Sequence, residues 1–440
     1  MKRYLIFFLL FILPSQQSFS QLVAPGWAKN STIYEVNIRQ FSKEGTFKSF
    51  QQHLPRLKEL GVDILWLMPI NPIGKLNRKG TLGSYYSVKD YVDVNPEFGT
   101  KEDFKTLVDE IHNHGMHVII DWVANHTAWD NKWVKTNPEF YTKDSSGNFV
   151  PPVPDWSDVI DLNYDNKELW KEMISALKYW VSEFDIDGYR CDVAGMVPIE
   201  FWNEVRTELD KIKPVFMLAE WDTPEMHKFA FDMTYDWDLH KIFNGVYAKE
   251  RSSSDIIKHI LNDQKKYPDY AYRMQFTSNH DENSWNGTEY ERLGKAAEVF
   301  AVLTYVIPGM PLIYNGQEIG FNKRLEFFEK DSIIWKENKF EKLYKNLNEL
   351  KEKNKALWAG IESGSIDFIN NNNDILIIRR SKENKEVIGF FNLTEKETEA
   401  NTRLEKASGV YISFNNDQQI ELNGNFQLKL KPWSYIIFYK

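Results

Sequence analysis

The chain has a single cysteine, Cys191, among 440 residues. No intramolecular disulfide can form, so the fold has to rest on its buried core, with or without a metal ion. It also lacks a basic excess: 54 lysines and arginines stand against 63 acidic residues, a net charge of −9. That balance argues against nucleic acid as a partner. Beyond the N-terminus no apolar run approaches the roughly 20 residues that cross a bilayer, so no membrane anchor is expected. No Gly-rich phosphate fingerprint follows the first strand-like run, which argues against a doubly wound dinucleotide fold. Internal repeats are lacking too, and the run Asn370–Asn373 reads as a turn.

What is present is aromatic: 15 Trp, 21 Tyr and 29 Phe. Most of these fill a core; some have flat faces suited to sugar rings. Residues 1–20 read as a cleavable export signal. Lys2 and Arg3 precede the apolar run 4–13, and Ser18 and Ser20 stand where a signal peptidase reads small residues. The protein is therefore expected in a periplasm or outside the cell. The lack of a cysteine near that point argues against a lipid anchor.

From residue 31 onward, short apolar runs alternate with helical patterns. Strands are predicted at 32–41, 62–68, 117–123, 186–193, 215–220, 231–235, 272–278 and 311–314, with helices at 47–60, 101–114, 169–183 and 200–212. Eight such units predict an α/β fold, a closed (β/α)8 barrel. The barrel takes residues 21–124 and 164–359. Residues 125–163, long and rich in Pro, Asp and Ser, form an inserted domain after the third strand. From about residue 360 the helical pattern stops. Runs at 375–379, 386–393, 411–414, 426–430 and 434–439 predict an all-β C-terminal domain, 360–440.

In a barrel of this kind the reacting groups stand at the C-terminal ends of the strands. The third strand ends DWVANH (121–126), the fourth GYRCD (188–192), the fifth LAE (218–220) and the seventh SNHD (278–281). Asp192, Glu220, Asp281, His126, His280 and Arg190 thus converge on one mouth. Strand alternation puts Arg190 and Asp192 on one face and turns Cys191 away into packing. Cleaving a glycosidic bond takes two carboxyl groups, and roughly 5–5.5 Å between them permits a covalent sugar adduct. Arg190 is expected to keep Asp192 ionised as the nucleophile. Glu220, between Leu218 and Trp221, is expected to be desolvated and protonated as the general acid. His126 and His280 would donate to sugar hydroxyls, and Asp281 would bridge two of them. Any one of these residues alone reads as well as a turn or cap. Four motifs in order at successive strand ends do not.

Together, 121–126, 188–194, Glu220 and 279–281 resemble the four ordered signature regions of the α-amylase family of glycoside hydrolases. The segment 83–91 (GSYYSVKDY) is similar to the family's tyrosine-bearing stretch, and 95–100, 161–163 and 308–318 resemble further family segments. The resemblance implies Asp192 as nucleophile, Glu220 as acid/base and Asp281 as transition-state stabiliser. It further implies that Arg190 supports Asp192, that His126 and His280 bind hydroxyls, and that Tyr86, rather than its neighbour Tyr85, stacks on the sugar. The implied reaction is retaining hydrolysis of α-1,4-glucosidic bonds in starch, glycogen or maltooligosaccharides. An α-glucosidase, a cyclodextrin or pullulan hydrolase and a transglycosylase share these motifs, and a non-catalytic glucan-binding protein shares the fold. Gly195 and Met196 replace the Lys-His that many relatives carry, and Ile160 replaces a proline. A structural calcium ion is left open, with Asn125 and Asp161 as its oxygen ligands.

Overall fold

The computed structural model describes residues 24–369 and 374–440. The expected export signal, residues 1–20, and the expected turn at 370–373 lie outside them. Eight parallel strands close into a barrel: β1 (Ile33–Val36), β2 (Ile64–Leu67) and β3 (His117–Trp122) come first. After an excursion holding β4 (His126–Ala128) and β5 (Val159–Asp161) come β6 (Gly188–Cys191), β7 (Phe216–Ala219), β8 (Met233–Tyr235), β9 (Tyr272–Gln275) and β10 (Met310–Tyr314). Barrel neighbours follow in that order, β3 pairing directly with β6 and β10 closing on β1. The strands of a barrel sheathed by helices are buried on both faces, and ILWL of β2 and MPLIY of β10 are buried at every position. Several helices start at side-chain caps: Thr100 and Asp103 form a capping box ahead of Lys101–Asn113, and Asn166 caps Lys167–Phe184.

Two expected elements of the barrel differ in kind. The run 32–41 is strand only to Val36 and turns helical at Ile38–Phe41. The helix at 47–60 is two pieces, Phe47–Gln51 and Leu54–Leu60, with Pro55 in the first turn of the second, where its missing N–H costs nothing.

The barrel interior is layered. Ile33, Ile64, Ile119 and Leu218 fill it with hydrocarbon. One inward step along β1, β2 and β3 come Glu35, Trp66 and Asp121, because inward positions recur every second residue. On β6, Gly188 faces inward in the layer of Ile119, its register partner, and Arg190 in that of Asp121. A Cβ on Gly188 (φ +152°) would stand 1.9 Å from the Phe216 carbonyl oxygen, so only glycine lets β6 lie against β7.

The excursion between β3 and β6 is pinned at its base by β4 and β5, an antiparallel pair with His126 opposite Asp161. The C-terminal strands are β11 (Ser365–Phe368), β12 (Ile375–Lys382), β13 (Lys385–Asn392), β14 (Thr398–Ser413), β15 (Gln419–Leu430) and β16 (Ser434–Tyr439). They form one antiparallel sheet in the order β11-β12-β13-β16-β14-β15. Both β14 and β15 run well beyond the expected 411–414 and 426–430. In the added residues buried Ala400, Leu404 and Leu422 stand singly among mostly polar, exposed neighbours, which hides them from a search for apolar runs.

Candidate active site

The mouth of the barrel gathers its charges around one guanidinium. Arg190 is fully buried, and its Nη1 donates to Asp121 Oδ1 at 2.9 Å and to Asp192 Oδ1 at 3.0 Å. Its Nη2 lies 2.9 Å from Glu220 Oε2, not aligned as a hydrogen bond, and its Nε donates to the Tyr235 hydroxyl at 3.1 Å. β6 and β7 stop one residue short of Asp192 and Glu220, so both carboxyls stand on the rim with one cation between them. Cys191 is buried on the opposite face, where burial pushes its thiol up.

Burial dominates the titration of these carboxyls. It lifts Asp192 to about 6 against the pull of Arg190, so the arginine moderates the charge cost without holding the group at an ordinary carboxylate value. Glu220 is lifted further, to about 7, by burial first, with Arg190 opposing and Asp192 and Asp281 adding. The Val193 N–H donates to Glu220 Oε2 at 2.8 Å. Val193 itself is held at φ +36°, a strained conformation for a β-branched residue, between the two carboxyl-bearing strand ends.

Asp121 closes the floor. It accepts from Arg190, from Trp66 Nε1 at 3.1 Å and from the Tyr86 hydroxyl at 3.1 Å. Tyr86 also meets His280 Nε2 at 2.8 Å, and the two rings stack with centroids 5.4 Å apart. Tyr85 turns away, 1% exposed, under the Arg39 guanidinium. Asp281 Oδ2 lies 3.3 Å from His280 Nε2. Burial alone would depress His280, but Asp281 and Glu35 hold it up, to about 9. His126 faces the same cavity beside Trp156 and is depressed by burial to about 3, hence neutral. All seven residues proposed for catalysis and sugar binding therefore meet here. Six line one cavity of about 640 Å³, with Arg190 beneath it.

Sequence reasoning missed Glu35. From β1 it reaches His280 Nδ1 at 2.5 Å, while its other oxygen is buried without a partner. Its signal was a lone acid at an inward position of an apolar strand. The aromatic wall of Trp156, Trp285, Phe327 and Phe328 was missed too, because these residues sit on loops and, for Trp285, on the short helical turn Glu282–Asn286, none with a readable periodicity.

The proposed calcium residues lie side by side: the Leu162 N–H donates to the Asn125 carbonyl, and Asp161 pairs with His126. Asp161 makes no ion pair among the described residues, and burial raises its pKa. A half-buried carboxyl next to amide and carbonyl oxygens fits a hard cation but supplies only part of a six- to eight-oxygen shell. Asp236, His259 and Asp263 form a separate cluster with ligand spacing. Arg273 already occupies it, 2.9 Å from Asp263 and 3.4 Å from Asp236.

Two acidic side chains about one arginine, at the C-terminal mouth of a closed parallel barrel, are the equipment of a glycosidase. A profile described as alpha amylase, catalytic domain, matches residues 12–155 and 155–401. The chain belongs to the α-amylase family. It is 32% identical to an α-amylase from Lactobacillus plantarum, with a TM-score of 0.84 over 93% of this chain and 99% of that one. It is also 32% identical to a maltogenic α-amylase from Thermotoga neapolitana, with a TM-score of 0.85 over 93% and 98%. Among curated relatives, α-amylase 2 of Dictyoglomus thermophilum is 28% identical over 86% of this chain and 72% of its own length.

Proposed function

We propose that the protein hydrolyses α-1,4-glucosidic bonds in starch, glycogen or maltooligosaccharides with retention of configuration. The observation that carries this reading is the single guanidinium shared by Asp192 and Glu220, with Glu220 the more basic of the two. Burial and the neighbouring carboxyls raise Glu220 more than Asp192, so the pair favours an ionised Asp192 beside a protonated Glu220. The Asp192 carboxylate attacks the anomeric carbon while Glu220 gives its proton to the departing glycosidic oxygen. Glu220 then takes a proton from water, whose oxygen displaces Asp192 and restores the α-configuration. His280, charged at neutral pH, and the neutral His126 donate to hydroxyls of the sugar under attack, Tyr86 stacks on it, and Asp281 accepts from two of its hydroxyls.

Incubation with maltoheptaose, followed by NMR, is expected to release the α-anomer first; a β-anomer would remove the covalent step. Asp192→Ala is expected to lower kcat by several orders of magnitude, and near-normal turnover would remove the nucleophile assignment. Asn125 and Asp161 are our proposed partners of a structural calcium ion; exhaustive dialysis against EDTA then lowers the melting temperature and added calcium restores it. An unchanged melting temperature would dismiss the ion. We propose export to a periplasm or the medium on the strength of residues 1–20, with the N-terminal sequence of secreted protein as the check.

A further inference from the structure

The cavity that holds Tyr86 and Asp192 has two ends, and they are built differently. Beyond Glu220 a second hollow of about 530 Å³ continues between Trp221 and Trp237. Its rim residues Asp238 and Lys241 are exposed, so chain can leave freely there. In the reaction proposed above, Glu220 protonates the leaving oxygen, which makes this open end the leaving-group side. The opposite end, past Tyr86, receives the non-reducing direction of the substrate.

That opposite end is walled. The loop carrying Lys79 and Thr81 is fastened to both of its neighbours. On one flank, Lys79 Nζ donates to the Asp155 carbonyl at 2.6 Å and pairs with Asp158 Oδ1 at 3.2 Å. Asp158 is itself buried, and its carbonyl accepts from Ser87. On the other flank, the Thr81 N–H donates to Glu329 Oε1 at 2.9 Å, the Thr81 hydroxyl bonds the second Glu329 oxygen, and the Leu82 N–H donates to the Phe328 carbonyl at 3.0 Å. Behind this strap, Phe327 stacks parallel to Tyr86 with centroids 6.3 Å apart, and Trp285 covers Phe327 and Phe328 at 5.1 and 5.7 Å. The three loops thus join into one continuous wall of the cavity beyond Tyr86.

We infer that the Lys79 strap closes the sugar-binding cleft at its non-reducing end, so that the enzyme acts from chain ends and releases glucose or maltose. A cavity of about 640 Å³ with one closed end takes a short run of sugars, and the remainder of the chain must leave past Glu220 and Trp221. A glucan whose terminal sugar carries a bulky cap meets the strap before its bond reaches Asp192. The inference rests on the function proposed above and narrows it.

The test uses maltoheptaose labelled at its reducing end, with and without a 4,6-ethylidene cap on its terminal non-reducing glucose. The full-length mature enzyme is expected to shorten the uncapped chain by one or two sugars at each step. It should cut the capped chain at least about a hundredfold more slowly. Capped and uncapped chains cut within about threefold of each other, with labelled products of intermediate length from the outset, would overturn the inference. No cleavage of the uncapped chain would instead strike at the proposed function. Lys79→Ala, and separately Glu329→Ala, are expected to speed cutting of the capped chain tenfold or more relative to the uncapped one. Circular dichroism confirms that each variant is folded. Folded variants that leave the capped chain as resistant as before would deny the strap its role.

Discussion

At the scale of single residues, the active site is a problem of placing charge where water has been removed. Glu35 is the residue whose contribution is least visible from chemistry alone, because it touches no sugar-facing group except through His280. Its charge and that of Asp281 offset the cost of burying an imidazolium, which by itself would push His280 below its ordinary value. Glu35→Gln removes one of those charges and leaves the burial in place. The His280 proton is therefore expected to come off about one pH unit lower or more, as read by NMR titration of the ring. The sign follows from the cause: a raised histidine loses the group that raises it, so its pKa falls and the imidazolium is depleted first at the alkaline end. The loss in kcat should accordingly grow as pH rises through 7 to 9. An identical titration in both proteins would show Glu35 to be packing only. The convergence of Asp192, Glu220 and Arg190 was legible in the sequence because all three stand at the ends of successive strands. Glu35 was not, since a lone acid in a strand looks the same whether it meets a histidine, a lysine or water.

At the scale of elements, the turn after β6 is the strained piece. Asp192, the left-handed Val193 and the 3₁₀ turn Ala194–Met196 follow one another directly. Gly195 lies flat against the Trp221 ring: a Cβ there would come within 2.0 Å of the indole. This gives the departure from the family's Lys-His pair a physical reason, because a lysine at 195 and this indole cannot share the space. Gly195→Ala is expected to displace Trp221, which follows Glu220 and borders the leaving-group hollow. Stability should fall by about 1–3 kcal/mol and kcat/KM by about tenfold or more, measured by urea denaturation and oligosaccharide kinetics. The double variant Gly195→Ala/Trp221→Ala removes the clash and should recover the stability without recovering the affinity for the leaving sugar. A single variant as stable as the parent would mean that the indole has another place to go. The barrel strands were legible as apolar runs, with Gly61 and Gly115 marking off β2 and β3 from the helices before them. The three-residue strands β4 and β5 were not, because a ladder that short carries no periodicity, and the aromatic wall comes from loops far apart in sequence.

At the scale of the whole molecule, the junction between the C-terminal sheet and the barrel buries two cations, of which Arg380 ties the one to the other. Arg380, from β12, donates to the Val306 and Gly364 carbonyls and to Ser363 Oγ; burial alone pulls it down to about 9. Lys351, on the helix Lys339–Lys353, donates to the Gly309 and Leu357 carbonyls. Burial, reinforced by Arg380, depresses it to about 7. A depressed lysine binds its proton more weakly in the folded chain than in the unfolded one. Between about pH 7 and its ordinary value of about 10.4 the unfolded state holds the extra proton, so folding stability from this group rises with pH and is lost as pH falls through 7. Other groups tilt the total, His280 in the opposite sense, so the informative quantity is a difference between proteins. Lys351→Met removes the titration and keeps most of the volume. On going from pH 7 to 9 the parent is expected to gain on the variant by up to about 1.4 kcal/mol per pH unit. Urea midpoints at several pH values measure that gain. Parallel curves for the two proteins would mean that Lys351 stays protonated inside the junction, with its charge balanced by neighbours such as Asp63, which burial itself raises to about 6.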